Sequence, residues 1–354
     1  MTMSANFVSS QYLANSLILP ITQAQSALAT ATTEESTGQY ADIGLQLGDQ
    51  SGYELSLKEQ VSLLQTLTAG NGLVSTSLST AQNALTNMAS SAEKTISDLT
   101  AWTPGANSGA TLQTLGQSAL QALIASTNAT AGDQYVFGGI NSATAPMADY
   151  FSTPTSAAKT AVDQAFQTAF GVSPSNPAAT SISASAMQSF LAGPFAALFS
   201  GAAWTSTWSS ASSTNTSAEI APGQTVTTST NANEPAFQEL AQGYTMLSEF
   251  GGSELSGAAQ QAVASAATSL IAGGQDSLTN VQASLGATQS AVIDANTSMS
   301  SQTTILQQQI DALDNVDQNK TAAQIASLTN QIQMAYELTA RLQQLNLAQY
   351  LPIP

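Results

Sequence analysis

Apolar residues recur at seven-residue spacing over the last quarter of the chain. Leu278, Leu285, Val292, Met299, Leu306 and Leu313 form one column, and Val281, Thr288, Ala295, Gln302, Gln309 and Val316 form a second. Paired columns at this period are the a/d seam of a long helix that packs against partner helices. After a polar join at 314–320 the pattern restarts with Ile325, Leu328, Ile332, Ala335 and Leu342, widened by Leu338 and Leu345. Neither helix can stabilise itself: ordering takes roughly 1.5 kcal/mol per residue, and each buried seam residue returns only about 1.5 to 3 kcal/mol. Both therefore need partners along their length.

The N-terminal part supplies candidates. Leu13, Leu17, Ile21, Ala24, Ala27, Leu28 and Ala31 fit an amphipathic helix over 11–38 that bends at Pro20 and stops at Gly38. Residues 40–53 carry three glycines among alternating apolar positions and predict a loop with a short hairpin. A second long helix follows. Leu57, Leu64, Asn71, Leu78, Leu85, Ala92 and Leu99 make one column, Val61, Thr68, Ser75, Gln82, Ala89 and Ile96 the other, with Gly70 and Gly72 weakening the middle. A third helix spans about 112–129. Then Tyr135, Val136 and Phe137, set between Gly132 and the pair Gly138 and Gly139, predict a strand or tight exit segment.

From 141 to 233 the heptads vanish. Pro146, Pro154, Pro174, Pro177, Pro194 and Pro222 punctuate a Ser/Thr/Ala-rich insert, with helical stretches predicted at 157–170 and 184–199. Phe166, Phe170, Phe190, Phe195, Phe199, Trp204 and Trp208 supply enough apolar bulk for a small core of its own rather than disorder. Helical pattern resumes at 234–250 and 255–271, with Gly251, Gly252, Gly273 and Gly274 marking joins. The predicted fold class is mainly α: a long antiparallel helical bundle or coiled coil formed by the N- and C-terminal segments, with a smaller α+β or irregular outer domain inserted between them. The divisions are 1–50 (terminal helix and loop), 51–139 (first half of a helical shell), 140–233 (outer domain), 234–316 (second half of the shell) and 317–354 (closing helix).

Composition narrows the function. Charged residues are 8% of the 354 positions, against a typical value of about 25%. Only Lys58, Lys94, Lys159, Lys320 and Arg341 are basic, and the net charge is -17. Such a chain cannot neutralise phosphates, which excludes nucleic acid and disfavours anionic membrane surfaces. The absence of His and Cys removes the usual zinc ligands, thiol nucleophiles and the commonest general base. No catalytic, cofactor-binding or metal-binding constellation is expected. Asp311, Asp314 and Asp317 read as a solvated helix exit rather than a calcium site, and Glu34, Glu35 and Asp133 as solvated faces rather than paired catalytic carboxylates. Met88, Met246, Met299 and Met334 read as core filler, and the Asn-x-Ser/Thr triplets at Asn128, Asn215 and Asn296 as chance. A cysteine-free chain suits an extracellular protein. The start has no basic n-region, and its apolar run, broken by Pro20, is too short for a signal peptide or membrane span.

Several short motifs, in this order, resemble the flagellin superfamily and, within it, the hook-associated proteins of the hook-filament junction. Asn6-Phe7-Val8 is similar to the family's opening segment, and Ser36-Thr37-Gly38 to the close of its first helix. The run GDQYVFGG at 132–139 resembles the junction proteins' Gly-x-Tyr-Leu-Phe-Gly-Gly, the feature that best separates them from filament flagellin. Leu285-Gly286-Ala287-Thr288-Gln289, Val316-Asp317, Gln331-Ile332-Gln333 and Leu345-Asn346-Leu347 with Tyr350-Leu351 resemble the family's C-terminal motifs. The family's basic segment after the first helix is replaced here by 39–52, and its arginines in the helical body are missing.

The resemblance implies a non-enzymatic structural protein of the bacterial flagellum, extracellular and exported through the flagellar type III route without a cleaved signal peptide. It implies a junction ring joining hook to filament, with filament flagellin or a secreted helical binding protein as alternatives. Its implied partners are further copies of itself in a ring or helical polymer, a neighbouring hook-associated protein, flagellin, and an export chaperone before assembly. Residues 11–38 and 321–349 would form the inner coiled coil, 55–99 and 278–316 the shell, and the insert would point outward. The stripe Ile325, Leu328, Ile332, Leu338, Leu342 and Leu345 would be the assembly and chaperone contact. Leu57, Leu64, Leu78, Leu85, Leu285, Val292, Met299, Leu306 and Leu313 would be the shell seam, with Asn71, Gln302 and Gln309 as buried amides fixing its register.

Overall fold

The structure, a computed structural model, describes residues 10–105, 108–252 and 254–344, with backbone alone for 10–17 and 342–344. The chain forms two compact units: Met1–Leu63 with Ser301–Pro354, and Leu64–Ser300. Two long helices, α3 (Ser51–Ala101) and α9 (Gly257–Asp314), contribute residues to both.

In the terminal unit, α1 (Ser10–Thr37) packs along α10 (Gln318–Gln344). The inward positions of α1 are Ile21, Ala24, Ala27, Leu28 and Ala31, and those of α10 are Thr321, Ile325, Leu328, Ile332 and Ala335. Small residues on α1 let the helices approach closely, so the stripe is narrow. Pro20 lies within α1 without ending it. Gly38, at φ +74°, stops the helix in the left-handed conformation that favours glycine. Two turns then pair: Tyr40 N–H donates to Asp314 O and Val316 N–H to Gly38 O, both at 2.9 Å.

The hairpin expected at 40–53 is absent from this place. A short helix α2 (Ile43–Leu47) and a 3-10 turn (Gly48–Gln50) lead straight into α3. Asp42 accepts from Leu45 N–H at its start, and this cap outweighs the alternating pattern. The alternation of Ile43, Leu45 and Leu47 reflects no sheet face, since Leu45 is 84% exposed.

The second unit is built on α4 (Ser108–Thr127) packed along α8 (Pro235–Phe250). The approach is so close that a Cβ on Gly116 would stand 2.3 Å from the Ser248 backbone nitrogen. After α4, β1 (Thr130–Ala131) and β2 (Gln134–Tyr135) form a two-stranded turn around Gly132 and Asp133. The insert then contributes α5 (Ala157–Phe170), a 3-10 turn (Pro177–Ser181) and α6 (Ala184–Phe190). A π-turn (Leu191–Phe195) and a 3-10 turn (Ala196–Phe199) carry α6 onward past Pro194. Next come α7 (Gly201–Thr207) and the antiparallel pair β3 (Ser217–Ala221) and β4 (Gln224–Thr227).

Three expectations are corrected here. The insert's aromatic residues do not make a core of their own: Phe166 stacks on Phe250 of α8 at 5.2 Å, and Phe190 and Phe195 contact the same ring. They merge with the helical residues into one apolar cluster. Gly273 and Gly274 mark no join, because α9 runs through both. A Cβ on Gly274 would stand 2.9 Å from Leu240 Cγ, so this glycine serves close approach to α8 rather than a break. On α3 the second seam column lies one residue earlier than expected after Val61. Ala81, Met88 and Thr95 are buried, whereas Gln82, Ala89 and Ile96 are half-buried. Both sides of a leucine column are sterically equivalent in sequence, and only the partners' positions select one.

Candidate assembly surfaces

The residues expected of a shell seam differ in burial. Leu57, Leu64, Leu78 and Leu85 on α3 and Leu285, Val292 and Met299 on α9 are buried. Leu306 and Leu313 are half-buried against a small cluster of Leu57, Val61 and Ile310. Ile310, absent from the expected columns, takes the inward place expected of Gln309. Its signal was available as the position four residues after Leu306.

Of the three amides expected to fix register, Asn71 alone is buried, at 1% exposure. Its Nδ2 donates to Asn296 Oδ1 at 2.7 Å and to Ile220 O at 2.8 Å. Gln302 and Gln309 are exposed, because the inward face has moved to Thr303 and Ile310; Gln309 Oε1 accepts from the Tyr53 hydroxyl at 3.2 Å. Asn296 was expected only as a chance Asn-x-Ser/Thr triplet, because it lies one residue beyond the expected column position Ala295.

On α10, Ile325 and Leu328 are half-buried and Ile332 is buried, all turned toward α1. Leu338 lies off that stripe and is 47% exposed. The Leu342 side chain and Leu345 lie outside the described residues. Helix α10 is capped by Asp317, whose Oδ1 accepts from Lys320 N–H at 3.2 Å.

Asp314 departs from the solvated helix exit expected of it. It is buried, and its Oδ2 accepts from Lys58 Nζ at 2.9 Å, while Glu54 pairs with the same ammonium. The Glu54 hydrogen bond, then that of Asp314, holds the Lys58 pKa above its ordinary 10.5. Asp311 and Asp317 do not join this node: Asp311 accepts from Gln307. Among the described residues no three His, Cys, Asp or Glu side chains gather as a metal site would require. Glu34 Oε1 accepts from Ala41 N–H. Glu35 is half-buried, with Oε2 enclosed and without a partner among the described residues.

The run GDQYVFGG lies where the insert leaves and rejoins the helical body. Phe137 is fully buried, edge-on to Phe237 at 5.2 Å. Gly138 O accepts from Ser212 N–H, Ile140 N–H donates to Thr214 O, and Phe137 O accepts from Ala232 N–H. Gly139 sits at φ +61°, and a Cβ there would stand 2.4 Å from Ser212 O. Bulk is excluded because three chain segments cross at this neck.

Apolar exposure is uneven. Of thirteen large apolar side chains that are exposed among the described residues, ten belong to the terminal unit, including Ile18, Leu19, Leu55, Leu63, Ile305 and Met334. No described helix is long and apolar enough to cross a membrane. Exposed apolar residues gathered in one unit are the kind of surface that marks an interaction site.

The chain belongs to the bacterial flagellin family. The model of the bacterial flagellin N-terminal helical region matches residues 8–142, and that of the C-terminal helical region matches residues 268–351, together more than half of the chain. It is a structural protein of the bacterial flagellum. Among solved structures it is similar to a Vibrio parahaemolyticus protein assigned as a flagellar hook-associated protein, with a TM-score of 0.50 and 11% identity over 75% of this chain and 97% of that one. At that identity the likeness is one of fold. No curated protein sequence matches the chain.

Proposed function

We propose that this protein forms the junction ring between flagellar hook and filament. The observation that carries the reading is the run GDQYVFGG, which resembles the junction proteins' own motif and occupies the neck of the insert. The hook-associated assignment of its Vibrio neighbour in fold agrees with it. The ring closes through coiled-coil packing of α1 and α10 with those of further copies, and the exposed apolar residues of the terminal unit are the contact surface for them, for a neighbouring hook-associated protein and for flagellin. Before assembly a chaperone holds α10 by Ile325, Leu328, Ile332 and the leucines that follow, and the first three are the ones that turn toward α1 in the folded chain. Export proceeds by the flagellar type III route without a cleaved signal peptide. No catalytic step is involved.

Electron microscopy of a deletion strain tests the role. Hooks without filaments, with flagellin shed into the medium, are expected. Attached filaments, altered or fewer, would make this a filament flagellin, and unchanged flagella would leave a secreted helical binding protein. A chain ending at Asn319 should lose chaperone binding; retention together with assembly would remove the assignment of α10 as the handle.

A further inference from the structure

The weakest stretch of the 51-residue helix α3 carries one of its most constrained side chains. No atom lies within 4 Å of where a Cβ on Gly70 or Gly72 would stand, so packing requires neither glycine. Each weakens the helix relative to alanine. Asn71, between them, uses both amide hydrogens, one on Asn296 of α9 and one on Ile220 of the insert.

Ile220 is placed for that contact by a β-bulge. In the β3–β4 pair Glu219 faces Thr225 and Ala221 faces Gln224, so Ile220 is the extra residue, freed from the ladder. Its carbonyl turns to Asn71 and its side chain is fully buried in the helical core. A second, weaker tie runs from Thr288 Oγ1 of α9, whose hydroxyl hydrogen is shared between Thr227 O and Ser284 O of its own helix, each at 3.3 Å. This part of the insert therefore lies back on the two shell helices instead of pointing outward.

We propose that the β3–β4 hairpin is a latch over a hinge: seated, it keeps α3 straight through Gly70-Asn71-Gly72, and lifted, it frees that triplet to bend. Two exposed glycines have no packing purpose in a straight helix, whereas a bending point needs them. The carboxamide between them would lose an acceptor on opening, so opening is resisted until the hairpin is drawn away.

Hydrogen exchange on the full chain tests this. Ile220→Ala should raise amide exchange at 68–76 about tenfold while 84–92 changes less than about twofold, the pattern of a local opening. Adding Gly70→Ala and Gly72→Ala should bring 68–76 back within about threefold of the native chain, since alanine restores helix strength at both sites. An unchanged 68–76 segment, an equal rise across 64–101, or failure of the alanines to restore protection would overturn the latch. Should Ile220→Ala not fold, Thr288→Val removes the second tie and should give the same local pattern at about threefold.

Discussion

The two units of this chain solve the same problem, how to hold long low-charge helices, in opposite ways. In the second unit Trp204, Trp208, Tyr150, Phe166, Phe195 and Phe250 are fully buried and joined to the α4–α8 pair in one cluster. Among the described residues, the buried apolar side chains of the terminal unit are Ala31, Leu57, Val61, Ile310 and Ile332, and ten large apolar ones are exposed. Burial stabilises at roughly 25 cal/mol per Å². A two-helix stripe of alanines and a few branched residues yields little of it. The difference teaches where apolar surface stays uncovered: three of the exposed large apolar side chains lie in the second unit and ten in the terminal one, the unit that the proposed assembly would cover.

The contrast can be broken most forcefully in the core. Phe166→Ala should lose about 3–5 kcal/mol in denaturant unfolding followed by Trp204 and Trp208 fluorescence, because its ring contacts Phe170, Phe190 and Phe250. Ile332→Ala should leave that transition in place yet impair assembly with purified hook and flagellin components. A shift of the core transition by Ile332→Ala would show the two units to be energetically one. Gly116→Ala, which forces a methyl onto the Ser248 backbone, should cost about 1–3 kcal/mol in the same assay.

A smaller effect is expected at the turn of the terminal unit. Lys58→Met removes the partner of Asp314, whose side chain is 2% exposed; with the Lys58 side chain itself 44% exposed, the loss should be about 1–2 kcal/mol. Faster proteolysis across 311–318 would register it. Because Glu54 and Asp314 raise the Lys58 pKa above 10.5, its contribution is fully present below that pH and is lost as pH rises through the folded value. The native chain should therefore show a helical circular-dichroism change above pH 10.5 that Lys58→Met lacks. Smallest, and opposite in sign, Gly70→Ala should stabilise α3 by about 0.5 kcal/mol, seen as a slight rise in the thermal midpoint.

Much of the helical plan was legible because periodicity reports burial directly. The end of α1 at Gly38, the span of α5 and the seam leucines of α3 and α9 all follow from spacing, since a buried face must repeat with the helix. Spacing fails where two neighbours compete for one place. Ala81 or Gln82, Ile310 or Gln309, and Leu338 on or off the stripe differ by one residue, a rotation of about 100° that only the partner's location resolves. Glycine misled in the same way. Gly38 ends a helix and Gly274 lets one pass close to another, yet the residue has no side chain to announce which.

The sequence by itself determined the long terminal helices, the lack of histidine and cysteine side chains, and membership of a flagellar family, because these rest on period, composition and short ordered motifs carried within single segments. The tertiary structure alone decided that the insert's aromatics complete the helical core, that Asn71 meets Asn296 and Ile220, and that Asp314 is buried on Lys58. Each of these joins residues more than fifty positions apart, and nothing local in the chain encodes which distant group will fill a given side of a helix.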